Sequence, residues 1–112
     1  MIEKTEPLVS LGHRRVVATL DCILCGVSGQ SQAAHPNFGK GIGLKACDSL
    51  VFPMCSDCHR WLDQSGKLDK KARRNYERSA TDKTRSQMMR EGIWPSVVEA
   101  AYQRAIKWEI SA

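Results

Sequence analysis

The sequence predicts a small α+β domain built around a four-cysteine zinc site, with additional helices C-terminal to it. Three observations carry this expectation. Two C-x-x-C pairs, Cys22-Ile-Leu-Cys25 and Cys55-Ser-Asp-Cys58, are separated by 29 residues. The stretch between them is loop-rich and ends in one short apolar run, Leu50-Val-Phe-Pro-Met54. Residues 68–90 contain neither Pro nor Gly and are dense in charge, which is helical composition.

With 112 residues the chain is one domain's worth, on a prior of roughly 100–200 residues per domain. Its 42% hydrophobic and 26% charged residues exclude a disordered or fibrous protein. No run approaches the ~18–20 apolar residues that span a bilayer. The start, Met1-Ile-Glu-Lys-Thr-Glu, lacks the basic-then-apolar order of a secretory signal. A cytoplasmic protein without a membrane partner is therefore expected. In a reducing compartment, paired cysteines bind metal more often than they form disulfides.

Taken in order, residues 1–10 read as a polar lead-in and 13–20 as a short helix feeding the first cysteine pair. Residues 26–43, rich in Gly, Ser, Gln and Asn, read as loop with brief extended pieces. Residues 50–54 form a strand leading into the second pair. A helix starts at 55–57 and stops at Gly66. A second helix over 68–90, with a break expected near 79–82, ends at Gly92. Pro95 falls in the first turn of a last helix that buries Val97, Val98, Ala101, Ala105 and Trp108 on one face.

Each C-x-x-C turns the chain back on itself, so that two sulfurs reach one tetrahedral ion at ~2.3 Å, and two such turns close the four-coordinate shell. Four sulfur ligands leave no open position for water, so the zinc is expected to be structural. A thiol redox pair and plain buried cysteines are the competing readings. A redox pair has no need of a second copy. Cys47 is left over and is expected to be a small buried residue.

The net charge of +5 is unevenly placed. Residues 1–59 hold five Lys/Arg against five Asp/Glu, whereas 60–90 hold ten against four. Such a run suits a polyanion such as DNA, with Arg60, Lys67, Lys70, Lys71, Arg73, Arg74 and Arg78 holding backbone phosphates without reading bases. Its bland reading is a solvated helical surface. His59 follows Cys58 directly and Asp63 lies four residues on, so on a helix the two share a face and can meet one cation. His35 lies in the loop after the first cysteine pair, which a shared zinc would draw towards His59. Taken singly, each of these three is more often a surface residue or a cap.

Ala33-Ala-His35, the glycine-rich Gly39-Lys-Gly-Ile-Gly43 with Lys45 and Asp48, and Val51-Phe-Pro-Met-Cys55-Ser-Asp-Cys-His59 resemble the HNH, or ββα-metal, endonucleases with an embedded four-cysteine zinc. More narrowly they are similar to small prophage nucleases of the YbcO and Ref kind. The resemblance covers residues 13–65, with 66–112 as a basic helical extension of the same single domain. It implies a ββα-metal core and metal-dependent hydrolysis of DNA phosphodiester bonds with low sequence specificity. It also implies a bacterial host cytoplasm, phage recombination or DNA processing, and a recombinase filament as a candidate partner. His35 becomes the general base, and His59 with Asp63 ligands of a catalytic Mg²⁺, Mn²⁺ or Zn²⁺. Asp48 lies nearest the place of the family's middle Asn, and Ala34 stands where a metal-binding residue often precedes the base. Two arrangements stay open: His59, Asp63 and Asp48 hold the ion, or His35 is itself a ligand and another group is the base. The alternative function is a non-catalytic zinc module that binds nucleic acid or assists recombination.

Overall fold

The computed structural model describes residues 7–36 and 47–111, the side chains of 108–111 excepted. The glycine-rich 39–43, Lys45 and the Trp108 side chain lie outside the described residues. The elements run α1 (Leu11–Ala18), β1 (Ser31–Ala34), a 3-10 turn (Asp48–Leu50), β2 (Phe52–Cys55), α2 (Ser56–Gln64), α3 (Lys70–Arg90) and α4 (Ser96–Ser111). The α+β expectation holds. The sheet has two antiparallel strands, with Ser31 opposite Cys55 and Ala34 opposite Phe52.

Why these segments form is visible locally. Ser10 caps α1, its Oγ accepting from the His13 amide at 3.1 Å. The lead-in does more than precede the helix. Leu8 accepts from the Asp48 amide at 2.9 Å and the Ser10 amide donates to Asp48 Oδ2 at 2.7 Å, so residues 8–10 pin the chain just before β2. All four residues of β2 are buried, as its apolar run predicts. Pro53, which has no N–H, sits in it without loss because among the described residues β2 pairs with β1 alone. Its carbonyl accepts from the Ile23 amide at 2.8 Å and ties the first cysteine turn to the strand.

Cys55 ends β2 and caps α2, so strand and helix join with no loop. Gly66 and Gly92, at φ of 70° and 72°, take the left-handed conformation that closes α2 and α3. Beyond Met88 the end of α3 is a Schellman turn, with Ile93 N donating to Met88 O at 2.9 Å and Gly92 N to Met89 O at 3.2 Å.

Two expectations fail. The break at 79–82 is absent: α3 begins after its cap Asp69 and runs unbroken, because Thr81 and Thr84 are buried with their hydroxyls bonded back to the carbonyls of Arg78 and Ala80. Among the described side chains of α4 the buried ones are Val98, Ala101 and Tyr102, while Val97 is exposed. Ala105 continues that face, packing with Leu50 and Tyr102, and the spacing 98, 101, 102, 105 turns Val97 about 100° away.

The core falls into three clusters. Phe52 and Met54 meet Cys22, Cys55, Leu62 and Ala80; Val17, Leu20, Val51 and Met88 form a second; Leu50 and Tyr102 a third. α4 is fastened to α3 by Glu99, which takes two bonds from Arg85 at 2.8 Å and one each from Trp94 and Gln103. Among the described residues no helix is long and apolar enough to cross a membrane.

Candidate active site and metal centre

The first cysteine pair sits in a turn closed by Gly26 N donating to Cys22 O and Cys22 N to Val27 O, both at 2.9 Å. The second pair spans the join of β2 and α2. The strand register sets Ser31 against Cys55, and the Ile23–Pro53 bond brings the two pairs together. The four Sγ atoms all lie within 4.8 Å of one another, with Cys25 and Cys55 3.8 Å apart. A tetrahedron with ~2.3 Å zinc–sulfur bonds has edges of about 3.8 Å. The donor set therefore fits a structural metal such as zinc.

Electrostatics agree with the geometry. Burial acts to raise the Cys22 thiol, but the amides of Cys25, Cys55 and Leu24 donate to it and bring it down to about 6. Cys58 is pushed up, by burial first and then by its neighbours Cys55, Cys25 and Cys22. Sulfurs this close repel one another once ionised, and a divalent cation removes that repulsion. Tyr76 of α3 packs on this cluster and is pushed up to about 12, by burial and then by the charges of Cys22 and Cys58.

Cys47 is not in the cluster. Nor is it fully buried: it packs against the Leu50–Tyr102 cluster, while its sulfur accepts from the Leu8 amide at 3.3 Å and lies 3.0 Å from Ser49 Oγ.

His35 follows the last residue of β1 and is partly exposed. Its Nε2 lies 2.7 Å from Oδ1 of Asp48, whose side chain is only 5% exposed. The other oxygen of Asp48 takes the Ser10 amide and stands 3.0 Å from Arg14 Nε. An ionised carboxylate only accepts, so in the neutral imidazole paired with one, Nε2 carries the proton and Nδ1 the lone pair. Arg14 carries no site signal in the sequence, because 34 positions separate it from Asp48 and nothing periodic links them. His13 carries none either. It is buried edge-on to Trp94 at 5.5 Å with neither ring nitrogen bonded, and its pKa is lowered by burial, against the opposing field of Asp48.

The expected cation site is assembled only in part. His59 Nε2 and Asp63 Oδ2 are 3.4 Å apart on one face of α2. The other Asp63 oxygen, however, is bound by Arg73, whose Nε also lies 3.5 Å from the buried Glu77. Among the described residues the four cysteines are the one group of three or more His, Cys, Asp or Glu placed to hold a metal, so Asp48 does not form such a group with His59 and Asp63.

Arg73, expected among the phosphate-holding residues, is 21% exposed and joins α3 to α2 through Asp63. Arg60, Lys67, Lys70, Lys71 and Arg74 are exposed and Arg78 is half-buried. Lys71, Arg74 and Arg78 follow one side of α3 at i, i+3, i+7 spacing.

Compared with protein-family models, curated proteins and solved structures, the chain matches none.

Proposed function

We propose that the chain is an HNH-like endonuclease, hydrolysing DNA phosphodiester bonds with little sequence preference on a ββα core held by a structural zinc at Cys22, Cys25, Cys55 and Cys58. The observation that carries this reading is the His35–Asp48 contact at 2.7 Å, at the strand end that precedes a strand-to-helix join. Hydrolysis needs a water deprotonated as it attacks phosphorus. His35 Nδ1 takes that proton as the water oxygen bonds phosphorus and the bond from phosphorus to the leaving sugar oxygen breaks, that oxygen taking up a proton from solvent. Asp48 holds the ring through Nε2 and stabilises the imidazolium that forms, as a buried carboxylate does for a catalytic histidine elsewhere. An imidazole changes charge near neutral pH, which suits the task. Exposed bases on α2 and α3 hold flanking phosphates. A place in phage DNA processing or recombination belongs to the same proposal and rests on the sequence resemblance.

The second reading is a non-catalytic zinc module that binds nucleic acid. The Arg73 hold on Asp63 favours it, because it engages one oxygen of the carboxylate expected to complete a cation site with His59. Incubating the purified protein with supercoiled plasmid and Mg²⁺, Mn²⁺ or Zn²⁺ separates the two. Nicking that disappears in His35→Ala supports the nuclease, whereas DNA binding with no nicking under any cation supports the module.

A further inference from the structure

Asp48 presents its two oxygens to two different side chains. Oδ1 holds His35 Nε2 and Oδ2 stands beside Arg14 Nε at 3.0 Å, so one buried carboxylate sets a guanidinium next to the candidate base. The arrangement is braced from both sides: the Ser10 amide donates to the same Oδ2, and Ser10 caps the helix that carries Arg14. Among the described residues Asp48 is the partner found for Arg14, and it engages only Nε. The Nη groups retain their donors, and the side chain is 37% exposed. The Nε contact is one of charge rather than an aligned hydrogen bond. A guanidinium held beside a carboxylate at one edge and open at the other still presents a fork that matches the paired oxygens of a phosphate.

We propose that Arg14 and His35 together form the seat of the phosphodiester, Arg14 Nη holding a non-bridging oxygen while His35 Nδ1 faces the attacking water. This rests on the reading of His35 as the base. It adds a substrate contact from α1, an element outside the ββα core.

The test uses the full zinc-loaded chain and two probes, the dinucleotide TpT and its uncharged methylphosphonate analogue, followed by ¹⁵N NMR of the histidine rings and the arginine Nε groups. Saturable shifts of both His35 and Arg14 with TpT, weakened at least tenfold with the methylphosphonate, are expected. Arg14→Gln should abolish the His35 shift while retaining zinc, and Arg14→Lys should restore part of it, because the charge is kept but the fork is lost. Equal binding of the charged and uncharged probes overturns the proposal without recourse to any variant. So does an unchanged TpT affinity in Arg14→Gln. Plasmid nicking keeps the two readings apart. TpT binding that depends on Arg14 in a protein that never nicks preserves the seat and removes the nuclease, whereas equal nicking by wild type and Arg14→Gln preserves the nuclease and removes the seat.

Discussion

At the residue scale the chemistry turns on Asp48. Its carboxylate is buried and meets His35, the Ser10 amide and Arg14, which in the proposed nuclease lets it orient the His35 ring. His35→Ala should keep the zinc and the fold, and lose nicking by ~100-fold or more, the usual scale for a lost general base. Asp48→Ala should fail differently. It strips the partner from a backbone donor and from a charged side chain, so alongside lost nicking it should lower stability by about 1–3 kcal/mol, read as a shift in urea midpoint. Unchanged stability would mean that residues 8–10 are not held through this carboxylate. Arg73 offers a contrast of the same kind. As the link from Asp63 to Glu77, Arg73→Ala should cost about 2 kcal/mol of stability and leave DNA affinity nearly unchanged. A marked loss of affinity with unaltered stability would place it on the DNA-binding surface.

At the element scale α3 has two separable roles. One side packs Ala80, Thr81, Thr84 and Met88 inward, with Tyr76 against the cysteine cluster, while Lys70, Lys71 and Arg74 stay at the surface. Replacing those three with Ala should flatten the slope of log affinity against log salt by about 0.9 for each phosphate no longer held, equally on unrelated duplexes. An unaltered slope would make the stripe a solvated face. The join of α3 to α4 has its own signature in pH. Hydrogen bonding from Arg85, ahead of the opposing effect of burial and of the bonds from Gln103 and Trp94, holds Glu99 down from 4.5 to about 2. A carboxylate with a depressed folded pKa contributes its stability above its unfolded value and loses it as pH falls through the folded one. The stability difference between wild type and Glu99→Gln should therefore be full above about pH 5 and shrink from there to about pH 2. A pH-independent difference would place the contribution in packing rather than charge.

At the scale of the whole molecule the cysteine cluster holds together pieces that bury little by themselves. The two strands have four residues each, and the first cysteine turn is mostly exposed. A structural zinc of this kind contributes on the order of 10 kcal/mol to folding. Removing the metal with a chelator, or substituting Cys55→Ser, should abolish cooperative unfolding. A metal-free chain that melts sharply at an unchanged temperature would show that the three apolar clusters suffice.

Signals carried within a few residues are legible in the sequence alone. The C-x-x-C turns, the apolar run of β2, the stops at Gly66 and Gly92, and the shared face of His59 and Asp63 all follow from backbone geometry over one or two turns of chain. Ambiguity enters where side chains permit two states. Ser79-Ala-Thr-Asp82 carries groups that compete for the backbone, and burial of Thr81 and Thr84 against the rest of the fold settles it as helix. Val97 and Val98 are equivalent as sequence, and packing against the core selects Val98. The candidate site lies beyond local rules. His35 meets Asp48 across thirteen positions, Asp48 meets Arg14 across 34, and Asp63 meets Arg73. Charge pairing at such separations depends on how elements are stacked, and stacking follows from apolar burial, which carries no record of which charged groups it will bring together.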